Sequence, residues 1–454
     1  MTLRTPAVIS LRPLAPLALG AALSLLSPLA MGAQDAAPTW CPQATPIWSE
    51  YWVHLAFAES PFEEIRGTTR ITAAEAATRN HYRLDRDRDG RVIRVTFALG
   101  DTPRIPNHTG NALSEAPIVE VCPGTLLERR RFRDAHGNPI LIRGNVAEER
   151  YTLDSLGYRR ALTFHDPDGV AVENGWGIAR YTWEIQKDGA VIEERFDAAG
   201  RPAEIRPGFP FFRIRLSFGA NGWIALMENI DSAGRLVEND LDAAQDKLEY
   251  RASGQMLAWN VYDGAERRSE GNGPRVARGI REFDPFGYEA GEWYLDRNGQ
   301  RIANAYGFFR SRATFDEFGN MLSRFNHDST GARLPNALTG YAGYVYRWDA
   351  TGLHELEVGF RGIDGEPVDH RQRGYHRRVN RHDTAGDLVE TRFEDIAGRL
   401  VNRTDNGIAR IVHRHDERHR LVETRWYDAA GAAVAVNGEM VRRVEYRPDG
   451  YPVR

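Results

Sequence analysis

The densest gathering of reactive groups in the chain is His413-Arg414-His415-Asp416-Glu417-Arg418-His419. On a strand running into a turn, His413 and His415 point to one face, and His419 can fold back toward them. Imidazoles placed in this way are candidate ligands for a transition metal. A second cluster, Asp85-Arg86-Asp87-Arg88-Asp89-Gly90, has the alternating carboxylates of a calcium loop. Such a loop ends on a bidentate glutamate at its twelfth position, where this chain has Thr96, so the match fails. The sequence holds no Gly-x-Ser-x-Gly elbow, phosphate loop or His-Glu-x-x-His element. Acidic residues are abundant enough to supply a carboxylate pair for glycoside hydrolysis, but no pair stands out.

A structural account competes with the metal reading, because these histidines sit inside a repeat. Asp383-Thr384-Ala385-Gly386 is followed 12 residues later by Asp395-Ile396-Ala397-Gly398. The figure returns at Asp154 with Gly157, Asp284 with Gly287, Asp316 with Gly319, Asp349 with Gly352, and Asp428 with Gly431. First turns at Asp154, Gln186, Gly219, Arg251, Asp284, Asp316, Asp349, Asp383 and Asp416 advance by 32 to 34 residues. A fixed period of this size marks a repeat architecture. Asp opens a tight turn by accepting backbone hydrogen bonds, and Gly closes it in the left-handed conformation. In this frame His415 fills an aromatic position, Asp416 is the turn residue and His419 replaces the glycine. The histidines therefore read as structural, with no metal, no cofactor and no catalytic residue expected.

Between turns lie about eight residues, enough for one strand. A third break, as at Gly177-Ile178, Gly307-Phe308, Gly340-Tyr341, Gly374-Tyr375 and Gly407-Ile408, suggests three antiparallel strands per repeat. Phe283, Phe315, Trp348, His382 and His415 precede first turns; Tyr294, Phe325, Phe393 and Tyr427 precede second turns. At constant phase they should stack on a buried face. Arg180, Arg310, Arg377 and Arg410 form one column and Glu193, Glu390 and Glu423 another, which reads as an ion-pair ladder facing solvent.

The figure Arg381-His382-Asp383-Thr384-Ala385-Gly386, with Arg347-Trp348-Asp349-Ala350-Thr351-Gly352, resembles the YD repeats of bacterial RHS-type surface and toxin proteins. Its Gly-aromatic punctuation is similar to MORN-type hairpin repeats. The resemblance covers residues 82–454, with departures at Gln186, Gly219, Arg251 and His419. It implies repeats used as shells, stalks or binding surfaces. The variable C-terminal toxin domain is not expected, because the rhythm persists to Arg454.

Hydrophobic residues make up 42% and charged residues 27%, a globular composition, and the net charge of −4 argues against a nucleic-acid partner. Arg4 and Arg12 ahead of the apolar run Leu14–Ala30 read as a signal peptide over residues 1–33, and no later stretch suits a membrane span. Cys41 and Cys122 should pair in an oxidising compartment. Residues 34–81 read as a partly helical cap over the first strand, with helix starts at Ser60-Pro61 and Thr72-Ala73-Ala74-Glu75.

The expectation is therefore an all-β array of antiparallel hairpins over 82–454, forming an extended, coiled or shell-like sheet. It would be exported to the periplasm or exterior and bind a protein or polysaccharide of the cell envelope through an extended surface. A hydrolase and a toxin-shell or immunity component are the alternatives.

Overall fold

The computed structural model describes residues 40–41, 44–106, 115–271 and 273–453, so the signal-peptide stretch lies outside the described residues. At the first turn of the Asp383 unit, the carboxylate accepts from the backbone N–H of Ala385 at 2.9 Å and of Asp387 at 3.0 Å. Asp154, Asp284 and Asp316 accept the same two bonds within their own turns. The closing glycines 157, 287, 319, 352, 386, 398 and 431 all lie at φ between +72° and +96°. Tips that begin with Gln186, Gly219 or Arg251 keep the backbone bond to the fourth residue without any aspartate. The left-handed fourth residue is thus the common requirement, and Asp adds hydrogen bonds to it.

The segments between turns pair as antiparallel hairpins, such as Arg377–His382 with Leu388–Glu394. Among the described residues, 27 strands make one open antiparallel sheet with almost no helix. Each full repeat supplies two strands, not three. The strand Leu388–Glu394 already pairs along its far edge with Arg410–Ile411–Val412 of the next repeat. Only Glu394 remains free to bridge Leu400, so the third strand shrinks to a single bridge. Among the described residues, no helix is long and apolar enough to cross a membrane.

The sheet coils until later hairpin tips rest on earlier parts of the chain. Arg66 donates to the carbonyl of Gly222 at 2.9 Å, the Asn80 N–H to that of Phe318 at 2.7 Å, and Arg104 to that of Gly352 at 2.8 Å. Asn138 continues the series on Arg418 at 2.7 Å, and Arg447 closes it on Asp168 at 2.5 Å. This seam of tip contacts gives the coil its turn, and its last pairs are about 280 residues apart in sequence.

The N-terminal segment does more than cap an edge. Trp48–Leu55 pairs with both Gly67–Ile71 and Asn80–Arg86, adding two strands to the sheet. Thr72 and Glu75 form the expected capping box on the short helix Ala73–Ala76. Ser60-Pro61 starts no helix; Ser60 Oγ instead accepts from the Phe62 N–H at 3.0 Å and donates to the buried Glu193 carboxylate. Residues 56–66 run inside the coil as a plug. There Phe62 packs against Trp183 and Phe218, at ring distances of 5.7 and 6.1 Å. Cys41 and Cys122 form a disulfide, buried with Ala44 and Ile93.

Two of the sequence columns divide between the faces. Phe393 and Tyr294 are buried on the inner face. Tyr427 lies on the outer face under Arg410, because it stands one residue before its turn and Phe393 two, and side chains alternate. Arg410 meets Glu390 on the outer face as expected, while Arg377 meets Glu394, outside the expected glutamate column. Glu193 does not join them. The other first-turn hairpins from Leu153 onward carry a bulge, as between Arg381 and His382, while Arg180–Ile185 pairs with Val191–Phe196 without one. One residue fewer turns Glu193 to the opposite face. It ends fully buried beside Arg195 at 2.9 Å, and accepts from Trp183 Nε1 at 2.7 Å.

Candidate functional site

The inner face holds charges that the outer ladder does not explain. Beside the plug, Arg159 donates to the carbonyls of Pro61, Phe62 and Glu63 at 3.0, 3.2 and 2.6 Å. Its other nitrogen reaches Glu128 at 3.0 Å. Arg130 and Arg159 both lie over the Tyr151 ring, at 4.3 and 4.4 Å. Burial pushes the Glu63 carboxyl up to about 8, against the pull of Arg66. Neither Glu63 carboxylate oxygen has a hydrogen-bond partner.

Past the end of the plug, the coil leaves a cavity of about 750 Å³. Strand alternation points Asp246, Trp259, Arg281, Glu292, Tyr294 and Arg324 into it, and Phe57, Glu59, Trp176, Arg206, Tyr306, Phe308, Tyr341 and Tyr344 complete the polar and aromatic lining. Burial pushes Asp246 up to about 7, opposed by Arg206, which is itself ion-paired to Glu59. Asp246 is 4% exposed and its Oδ1 has no hydrogen-bond partner. Glu292 is also raised by burial, and accepts from the Tyr294 hydroxyl at 2.5 Å. Arg281 lies 5.8 Å from the Trp259 ring, 5.5 Å from that of Phe57 and 3.9 Å from Glu292. The cavity thus offers flat rings, fixed guanidinium donors and a carboxylate acceptor, the usual lining of a small-molecule site.

Asp246 and Glu292, the two raised carboxyls of the cavity, stand well apart in the sheet. They sit on Gln245–Tyr250 and Glu289–Leu295, with two strands between them, and their registers are offset along the sheet. Three strand spacings of about 4.8 Å exceed the roughly 5–9.5 Å between paired glycosidase carboxylates.

The sequence-predicted metal candidates separate. His413 and His415 share the inner face, with His413 3.3 Å from Thr424 Oγ1 and held below the usual imidazole range by burial and by His415. His419 sits at φ +63° on the tip of the same hairpin and joins Asp387 on the neighbouring tip at 3.0 Å, turned away from the two strand histidines. Of the cavity residues, Tyr294, Phe308 and Tyr341 were marked in the sequence only as repeat positions, and none of the charged ones stood out. Asp246 and Arg206 sit in units that depart from the YD spelling, the one signal that set this part of the chain apart.

No protein-family model and no curated protein matches the chain. Among solved structures, a TcdB2-TccC3 crystal structure aligns over 82% of this chain and 20% of its own, at 12% identity and a TM-score of 0.28. The Photorhabdus luminescens Tc holotoxin pore aligns over 82% and 19%, at 10% identity and a TM-score of 0.26. A porin-like protein from Bacteroides uniformis gives 71% and 89%, at 11% identity and a TM-score of 0.16. The chain spans about a fifth of the length of the toxin chains it resembles. The likeness is one of β architecture, and membership of a family does not follow from it.

Proposed function

We propose that this protein is an exported, non-catalytic repeat scaffold that holds a saccharide segment in the hollow of its coiled sheet. The observation that carries the reading is the 750 Å³ cavity, with its aromatic walls and the unpartnered Asp246 oxygen. Aromatic faces accept the C–H faces of sugar rings, while Asp246, Arg281 and Arg324 match hydroxyl groups. This moves recognition from the outer surface expected of the sequence to the inside. The outer arginines are largely engaged: Arg377 and Arg392 with Glu394, and Arg410 with Glu390. The disulfide supports an oxidising compartment.

Calorimetry against a panel of envelope-derived oligosaccharides tests the reading. Saturable binding should weaken at least tenfold in both Asp246→Asn and Trp259→Ala. Equal binding by both variants, or release of shortened sugar by the wild type, sinks it; the second outcome would establish the hydrolase alternative.

A further inference from the structure

We propose that His136, Asp387 and His419 form a binding site for a divalent transition-metal ion that clasps the seam of the coil. Among the described residues they are the one group of three ligand-type side chains whose nitrogen and oxygen atoms lie within 4.8 Å of one another. Each comes from a different hairpin tip. His136 belongs to the turn Asp134–Gly137, Asp387 follows Gly386, and His419 closes the turn begun by Asp416. His419 Nδ1 is 3.0 Å from Asp387 Oδ2, and His136 Nε2 is 3.9 Å from Asp387 Oδ1. The two imidazoles stack with centroids 4.0 Å apart and planes 12° from parallel.

The donor set selects the ion. Two imidazoles and one carboxylate suit zinc, cobalt or nickel, which bind nitrogen well. Calcium and magnesium want six or more oxygens. In a tetrahedral site with bonds of about 2.0–2.1 Å, ligand atoms stand about 3.4 Å apart. Closing from the present spacing therefore needs only ring rotation, and both histidines are part-exposed, at 39% and 32% of their side chains. Solvent can supply the fourth position.

The backbone around the site is already fastened. Asn138 Nδ2 donates to the Arg418 carbonyl at 2.7 Å and to Asp134 Oδ2 at 2.9 Å, lashing the two histidine tips together. The Asp387 N–H is bound by Asp383 at 3.0 Å. His419 also occupies a left-handed position that most tips give to glycine. A side chain there strains the backbone, and this one meets Asp387 on the neighbouring tip and His136 across the seam.

The test uses untagged full-length protein stripped with a chelator, titrated with Co²⁺ and followed by ligand-field absorption and by thermal melting. One Co²⁺ should bind per chain, with the intense visible bands of a tetrahedral site, and raise the melting temperature; Zn²⁺ should displace it. His419→Gly restores the glycine common to other tips, so it should fold normally yet lose at least tenfold in affinity. His136→Gln and Asp387→Asn, measured beside it, should do the same. Absence of saturable Co²⁺ uptake by the wild type overturns the proposal. So does unchanged affinity in the folded His419→Gly protein, which would place the ion on other histidines.

Discussion

From Tyr82 to Val261 the inner face of the sheet carries Leu84, Phe132, Ile214, Leu216 and Ile224, all fully buried in one continuous core. From Arg278 onward that face carries Arg281, Glu292, Arg324, Arg378 and His413, and its second hydrophobic cluster is only Phe360, Tyr375, Phe393 and Ile408 with their neighbours. Strand pairing and turns are alike in both regions. What differs is the plug, whose apolar residues pack into the first core and which meets the second region through Phe57 beside Arg281. The comparison shows that the repeat specifies the sheet, while a non-repeating segment specifies where the sheet has a thick core.

The largest effect should come from cutting the plug loose. Arg159→Ala leaves three carbonyls without their buried donor and Glu128 with Arg130 alone, so it should cost about 3–5 kcal/mol in denaturant unfolding. Arg381→Ala, on the outer face of the second region and 63% exposed in its side chain, should cost no more than about 1 kcal/mol. Similar costs at the two sites would erase the distinction between regions.

A pH titration sharpens it further. Glu63 titrates near 4.5 in the unfolded chain and at about 8 in the fold. The folded protein therefore binds the extra proton, and stability falls as pH rises from about 4.5 to 8, by up to about 5 kcal/mol. Glu63→Gln should abolish this loss, making the variant the more stable protein near pH 9. Identical pH profiles would mean that the plug is not buried as described. The turn carboxylates act in the opposite sense at the acid end. Asp154, which burial raises but its backbone and Arg160 hydrogen bonds bring below the usual range, stabilises above about pH 4 and loses that contribution as pH falls through its lowered value.

The smallest difference should appear at the turns. Gly157 and Gly431 both lie at φ +86° with open space around the missing side chain. Gly157→Val and Gly431→Val should each cost about 1–3 kcal/mol, and by the same amount within error. A marked inequality would show that the two regions do not share their turn energetics.

This pattern explains what could be read from the sequence. The turns, the hairpins and the disulfide were legible because each depends on residues near in sequence or on thiol chemistry. The two-strand repeat was not, because the loss of the third strand depends on which edge the next repeat takes. Glu193 was misplaced because a missing bulge leaves almost no trace in a period that varies by a residue anyway. Ser60-Pro61 spelled a helix start, but burial against Glu193 gave that hydroxyl another partner. The cavity and the histidine pair were invisible for a common reason: the pitch of the coil, not spacing along the chain, brings Asp387 to His136.

The seam also sets a schedule for synthesis. A repeat array whose contacts are all between neighbours can form each unit as it emerges. Here Asp168 has no Arg447 to meet until 279 further residues have been made. At about 5–20 residues per second that interval is roughly 15–55 s, long compared with hairpin formation in microseconds. For that time the first hairpin tips stand finished and unpaired, offering the same carbonyls and carboxylates to the late repeats of any neighbouring chain. The coil is thus a structure whose lock is manufactured last, and dilution during refolding should favour each chain closing on itself.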